Sequence, residues 1–161
     1  MRKYIITAIS AMMVCSIMVS AQQRNTAAHP GNCDDPMVHS TIVSLNNVDE
    51  SKGFSLKMME SFSMPYGNLI PFTVQLEQGK LYSINYAVGP EFKQFTFTII
   101  DRDNKKPVNK KVKSSKTKEH YLNQSFIASY TGQYIIVVSQ QGADKGEHCG
   151  ALSLMQAAAN E

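Results

Sequence analysis

The sequence has 161 residues and contains no tryptophan, three cysteines and few charged residues. Charged side chains make up 18% of the chain and give a formal net charge of +3, too small for a dedicated nucleic-acid-binding protein. Hydrophobic residues make up 43%, which supports a packed core and argues against wholesale disorder. A chain of this length is expected to form one domain, so a dinucleotide-binding enzyme with a second domain does not fit.

Motifs for catalysis and metal binding are also missing. The chain has no Gly-x-Ser-x-Gly and no His-Glu-x-x-His, and none of its four histidines are spaced i, i+4. Asp101 and Asp103 begin like a calcium loop, but the glycine and glutamate of an EF-hand do not follow, so a β-turn is favoured. No two acidic residues stand out as a pair for glycoside hydrolysis. We therefore expect no catalytic residue, no cofactor and no metal.

One long apolar run lies at the start of the chain. Arg2 and Lys3 precede the apolar stretch 4–19, and residues 19–21, Val-Ser-Ala, suit a cleavage point. The stretch is shorter than the ~20 residues that span a bilayer. We predict a signal peptide over 1–21 and a periplasmic or secreted protein with no transmembrane segment after cleavage.

The cysteines divide between the leader and the mature chain. Cys15 leaves with the signal peptide, and the large residues before it disfavour a lipoprotein. Cys33 and Cys149 remain, and two cysteines in an exported chain usually pair. We predict a disulfide between them, worth about 5 kcal/mol because the closed loop is long. A redox or metal pair is the alternative, although no Cys-x-x-Cys is present.

From Gly53 onward, apolar and polar residues alternate with a period of two. Such segments recur at roughly ten-residue spacing, with turn residues between them. No helix-length crossover separates them, so neighbouring strands should be antiparallel. We predict an all-β fold over 53–156, an antiparallel two-sheet sandwich of jelly-roll type with about eight strands, followed by a tail over 157–161.

The segment 22–52 is predicted to be a polar N-terminal arm. Asp35-Pro36 would cap a short helix, but the β-branched residues that follow also permit a strand, so this element stays open. Residues 46–53 are predicted to be a loop. The disulfide would hold the arm against a sheet edge that is otherwise open to pairing.

Strand and turn residues in the second half of the chain resemble a known family of β-sandwiches. They lie in 71–82 (PFTVQLEQGKLY), 97–101 (FTIID), 125–128 (SFIA) and 130–138 (YTGQYIIVV). Their order resembles the bacterial pre-peptidase C-terminal domains and their collagen-binding and carbohydrate-binding-like relatives. The resemblance covers about half of the chain and implies a jelly-roll fold with a non-catalytic role outside the cytoplasm. Because no protease domain accompanies it, we expect a free-standing binding or structural protein.

Two groups of residues are candidates for binding. The basic residues cluster in one predicted hairpin, which contains Lys105, Lys106, Lys110, Lys111 and Lys113. This hairpin would bind an anionic glycan, a cell-wall polymer or a lipid head-group surface, or would only protect a sheet edge. Tyr66 and Tyr121 lie in predicted loops, where their rings would stack on a sugar. Nucleic acid is not favoured, because interleaved aromatic residues are missing.

These features predict an exported, non-catalytic β-sandwich that binds an envelope glycan or an envelope protein. A structural or assembly protein of the envelope without a small ligand is the first alternative. A small secreted hydrolase is the second. The sequence makes no prediction about oligomeric state.

Overall fold

The computed structural model describes residues 33–103, 105–113, 119–142 and 146–158, so the predicted signal peptide lies outside the described residues. Along them the chain forms one α-helix and eight β-strands. They are α1 (Pro36–Glu50), β1 (Phe54–Pro65), β2 (Leu69–Leu76), β3 (Leu81–Val88), β4 (Phe92–Ile100), β5 (Val108–Lys113), β6 (Tyr121–Ile127), β7 (Gly132–Gly142) and β8 (Glu147–Ala157).

The strands form two four-stranded sheets that pack face to face. Sheet A has the order β1-β8-β3-β6, and sheet B has the order β2-β7-β4-β5. Every pairing within them is antiparallel. These are the strand orders of an eight-stranded jelly roll. The predicted all-β sandwich is therefore confirmed.

The alternation in the sequence becomes the inside and outside of the sandwich. In β2 every second side chain is buried, beginning with Ile70. The core between the sheets is rich in aromatic residues, and its largest fully buried members include Tyr82, Tyr86, Tyr134, Phe62, Phe92, Phe95 and Phe97. Truncation of one such side chain costs about 3–5 kcal/mol, so these rings contribute much of the sandwich's stability.

The element before the sandwich, which the sequence left undecided between helix and strand, is a helix. Asp35 caps it, because its Oδ1 accepts the backbone N–H groups of Met37 (2.8 Å) and Val38 (3.1 Å). Pro36 fits the first turn, where no backbone donor is needed. The helix continues to Glu50, so the loop predicted over 46–53 is wrong for residues 46–50. Within the described residues, no helix is both long and apolar enough to cross a membrane.

The helix lies on the outer face of sheet A. Val38 and Ile42 pack with Ala87 of β3 and Ala151 of β8. The predicted disulfide is confirmed: Cys33 is bonded to Cys149 of β8, with 5.4 Å between their Cα atoms. Since β8 is an inner strand next to the edge strand β1, the bridge fastens the helix over the face of sheet A. The expectation that it covers a sheet edge is therefore wrong.

The turns of the sandwich lie at two opposite ends. Strands β1, β3, β5 and β7 finish at the Tyr66 end, and strands β2, β4 and β6 finish at the Tyr130 end. This division follows from the antiparallel pairing of consecutive strands. It decides which of the candidate binding residues are able to act together.

Candidate functional site

The two sheets differ in what covers their outer faces. Sheet A lies under α1, whereas in the described part of the chain no helix packs on sheet B. We call the outward-facing side chains of sheet B the open face. Three rows cross the middle of this face: Leu69–Ser139–Thr96–Lys111, Pro71–Val137–Thr98–Asn109 and Thr73–Ile135–Ile100. A glutamine pair flanks them on each side, Gln94–Gln141 and Gln75–Gln133.

The open face has an apolar strip. The Leu69 side chain is 66% exposed and Ile135 is 38% exposed, and Val137 lies in the row between them. The polar groups beside this strip bond to one another: Thr96 and Ser139 share a hydrogen bond of 2.6 Å, and Thr98 donates to the amide oxygen of Asn109 at 3.1 Å. Their hydrogen bonds are thus already made, which lowers the cost of removing water from this surface.

Lysines border the open face along the edge strand β5. Lys110 and Lys111 are both exposed, and among the described residues neither has a carboxylate within salt-bridge distance. Lys111 stands opposite Thr96 in the outward-facing row, and Lys113 is the last residue of β5. Basic residues on an edge strand also discourage pairing with other sheets. This position is consistent with the alternative prediction that the lysines only protect a sheet edge.

The loop between β4 and β5 is organised by Asp101. This carboxylate is buried, and its Oδ1 accepts the backbone N–H groups of Asp103 and Lys105, each at 2.9 Å. The Asp101 N–H in turn donates to the Lys105 carbonyl at 3.0 Å. The Asp101 carboxylate therefore stabilises the turn that follows it in the chain. Across the described residues, no three His, Cys, Asp or Glu side chains converge as metal ligands would.

Arg102 in this loop is stacked on an aromatic ring. Its guanidinium carbon lies 4.5 Å from the centroid of the Tyr130 ring, and the other face of that ring stacks on Tyr134, with centroids 4.6 Å apart. The Tyr130 hydroxyl accepts the Arg102 backbone N–H at 2.8 Å and donates to the Gln133 carbonyl. This stack adds cation–π attraction to a fixed ring.

A cavity of about 440 Å³ opens beside the stack at the Tyr130 end, and we call it the Arg102 cavity. Its lining includes Lys105 and Lys106 of the predicted basic hairpin and Asp101 and Asp103 of the weak calcium-loop pattern. The contact between Arg102 and Tyr130 beside them was not predicted. The full lining is Asp101, Arg102, Asp103, Lys105, Lys106, Pro107, Ser129 and Tyr130. The sequence signal for this cavity is weak, because its two halves lie 28 residues apart.

The two candidate tyrosines lie away from these lysines. Tyr66 is 43% exposed and sits at the opposite end from Lys105 and Lys106. Tyr121 is 38% exposed and is the first residue of β6, opposite Ala87 in sheet A, so its predicted loop position is wrong. Neither ring belongs to the open face.

Sequence patterns also missed a buried polar cluster beneath α1. Asp49 of the helix is almost fully buried and accepts the side-chain amides of Asn85 at 3.1 Å and Asn123 at 3.2 Å. Asn85 donates to the Asn46 amide oxygen at 3.0 Å, and that oxygen also accepts the Ser153 hydroxyl at 2.5 Å. The cluster joins the last turn of α1 to three strands of sheet A and explains why the helix extends through these polar residues.

Comparison with known proteins gives similarity in structure alone. No protein-family model matches the chain, and no curated protein does. The pre-peptidase C-terminal domain of a collagenase from Bacillus anthracis is similar at 16% identity, over 62% of this chain and 89% of that chain, with a TM-score of 0.48. PliG of Aeromonas hydrophila, a periplasmic lysozyme inhibitor of g-type lysozyme, is similar at 14% identity, over 63% of this chain and 86% of that chain, with a TM-score of 0.33. The family that the sequence resembles is thus found among similar folds, and these values describe the sandwich fold only.

Proposed function

We propose that this chain is an exported, non-catalytic binding protein that holds a protein partner through the open face of sheet B. The observation that carries the proposal is the difference between the two sheets. Helix α1 and the disulfide cover part of the outer face of sheet A, which still exposes Leu56, Leu81 and Ile127. In the described part of the chain, the outer face of sheet B carries no helix and exposes an apolar strip that includes Leu69 and Ile135. Contiguous exposed apolar side chains are typical of protein interaction surfaces.

The charges beside the strip indicate what kind of partner fits. Lys111 lies in the outward-facing row on β5, whereas Lys110 stands opposite the buried Phe97 and faces the other side of this edge strand. Lys105 and Lys106 lie at the Tyr130 end. A partner with an apolar centre and acidic residues at its rim would match both features, and the charges would speed and orient the encounter.

A protein fits this surface better than a glycan does. The three rows of the open face contain no aromatic side chain on which a sugar ring would stack. Tyr66 and Tyr121, the two rings proposed for that purpose, lie elsewhere. An anionic glycan would use the lysines alone and would leave the apolar strip exposed.

A hydrolytic function has less support. Two carboxylates line the Arg102 cavity, but Asp101 accepts two backbone N–H groups of its own loop. Asp103 lies 3.8 Å from both Arg102 Nε and Lys105 Nζ. Asp101 is thus engaged within its own loop, and Asp103 is an exposed carboxylate held only by ion pairs, so the two do not form a positioned acid–base pair.

Binding to an envelope extract tests the proposal. The chain lacking residues 1–21 would be immobilised and exposed to extract from the native host, before and after proteinase digestion of that extract. We expect one protein to be retained by the wild type and lost with Leu69→Glu or Lys111→Glu. The matched controls Leu56→Glu and Lys57→Glu place the same changes on exposed positions of β1 in sheet A and should retain it.

Three outcomes would contradict the proposal. Equal retention by all four variants would show that the open face is not the binding surface. Retained carbohydrate that survives proteinase digestion would replace the protein partner with a glycan. Loss of the partner in the two sheet A controls alone would move the interface to the opposite side of the sandwich.

A further inference from the structure

We infer that the Arg102 cavity is a carboxylate-binding site that receives an acidic side chain of the protein partner. This inference rests on the proposed function and names the chemistry of one contact in it. The cavity lies at the Tyr130 end of the sandwich, where the loops after β4 and β6 meet. It brings Arg102, Lys105 and Lys106 together with the hydroxyl-bearing residue Ser129.

The guanidinium of Arg102 is held in place before any ligand arrives. It lies over the Tyr130 ring, and that ring is fixed by stacking on Tyr134 and by hydrogen bonds to the backbone of residues 102 and 133. A guanidinium stacked on a ring keeps its N–H donors at its edge, where they are available to a planar carboxylate. The stack restricts the Arg102 side chain, which is 67% exposed, so part of its conformational entropy is lost before binding.

Hydrogen bonds also hold the backbone at residues 101, 103 and 105. The buried Asp101 carboxylate holds the backbone N–H groups of residues 103 and 105, and the Asp101 N–H bonds to the carbonyl of Lys105. These bonds fix the backbone from which the Lys105 side chain extends. The backbone that carries Lys105 therefore has a defined position, while its side chain is 76% exposed and is free to reach a ligand.

The protein's own acids show which group the site attracts. The Asp103 carboxylate lies 3.8 Å from Arg102 Nε and 3.8 Å from Lys105 Nζ. These separations are ion-pair contacts but are too long for hydrogen bonds. The Asp103 side chain is 56% exposed, so it is able to turn aside. An incoming carboxylate would make the direct bonds to Arg102 that Asp103 does not make.

The charge balance favours a carboxylate over phosphate or sulfate. Three basic side chains and two carboxylates line the cavity, which leaves a formal charge of +1. A singly charged carboxylate neutralises this excess. A doubly charged phosphate or sulfate would leave a net negative charge beside Asp101 and Asp103.

Titrations followed by amide NMR test the site directly. The probes are N-acetyl-glutamate amide, glucuronate and inorganic phosphate, added to the chain without residues 1–21 at constant ionic strength. We expect the glutamate probe to give saturable shifts confined to residues 101–107 and 129–133. Arg102→Gln should weaken its binding about tenfold or more, because a charge-assisted hydrogen-bond pair is lost.

Further variants separate recognition from simple attraction. Arg102→Lys keeps the charge but loses the stack and the planar donors, so it should bind more weakly than the wild type and more tightly than Arg102→Gln. Lys57→Gln removes an exposed positive charge from sheet A and should leave the titration unchanged. Unchanged amide spectra outside the cavity would show that each variant still folds.

Each outcome decides a separate point. Absence of saturable shifts, or equal binding by wild type and Arg102→Gln, would overturn the carboxylate site. Tighter binding of phosphate would overturn the choice of carboxylate, and binding of glucuronate without the glutamate probe would overturn the protein source. If Arg102→Gln retains the envelope partner while Lys111→Glu loses it, this inference fails and the proposed function stands. If the titration succeeds but no protein is retained, the proposed function fails instead.

Discussion

Removal of the Cys33–Cys149 bridge should cost at least a third of the protein's stability. The bonded residues are 116 positions apart, so the bridge restricts nearly the whole described chain in its unfolded state. The chain-entropy relation gives a loss of roughly 16 cal/mol/K for a loop of that size, which is about 5 kcal/mol at 25 °C. A domain of this kind has about 5–15 kcal/mol in total. The variant Cys33→Ser/Cys149→Ser should therefore be marginally stable.

Urea unfolding followed by circular dichroism measures this difference. With a slope of about 2 kcal/mol per molar, a loss of 5 kcal/mol moves the midpoint down by roughly 2.5 M. Reduction of the wild type should reproduce the shift, and mass spectrometry should show that it gains two hydrogen atoms. If the free energy of unfolding of the double variant lies within about 1 kcal/mol of that of the oxidised wild type, the entropic account is refuted, because the bridge then contributes little stability.

Two further predictions concern buried polar groups. Asp49→Ala leaves an N–H of Asn85 without its acceptor and should lower the free energy of unfolding by about 2 kcal/mol in thermal melts. The control Glu50→Ala, on the exposed side of α1, should change that free energy little. Equal effects of the two variants would argue against a stabilising role of the buried polar cluster. Burial raises the pKa of the Tyr86 hydroxyl well above its ordinary value of 10.0. Above about pH 10 the unfolded chain releases the Tyr86 hydroxyl proton, whereas the folded chain keeps it. The free energy of unfolding therefore falls as the pH rises further. Tyr86→Phe should flatten this fall in urea titrations, and an unchanged pH slope would contradict the assignment.

The sequence predicts the sandwich well because burial on one face of a strand imposes a period of two. β2 and β7 show this directly, since their buried and exposed residues alternate almost without interruption. β6 is predicted less well: the strand begins at Tyr121, earlier than its apolar pattern indicates, and no residue within it is fully buried. An edge strand that is only half covered leaves a weaker alternation.

The extent of α1 depends on residues far away in the chain. Residues 46–50 have the composition of a loop, but they are helical because Asn46 and Asp49 form hydrogen bonds with the sheet. The partners of Asp49 are Asn85 on β3, 36 residues away, and Asn123 on β6, 74 residues away. Local propensity therefore favours the wrong structure, and tertiary contacts override it. The disulfide was predictable, because the predicted signal peptide contains Cys15 and its removal would leave two cysteines, which usually pair in an exported chain.

The candidate site was only half predictable. The lysines of the hairpin stand out by composition, and their number predicts an edge strand, because lysines are common on sheet edges. The open face depends on the register between four strands, which alternation alone does not fix. The contact of Arg102 with Tyr130 joins two different loops, so neither loop carries a signal for it by itself.

The central claim is that a protein partner binds the open face. The direct measurement is site-specific photo-crosslinking in the native host's envelope, with benzoylphenylalanine at Thr98 in the middle of sheet B or at Lys57 on β1 of sheet A. The account predicts a protein adduct from position 98, its loss when Lys111→Glu is added, and none from position 57. An adduct from position 57 alone, or none from position 98 in a folded chain, would contradict it.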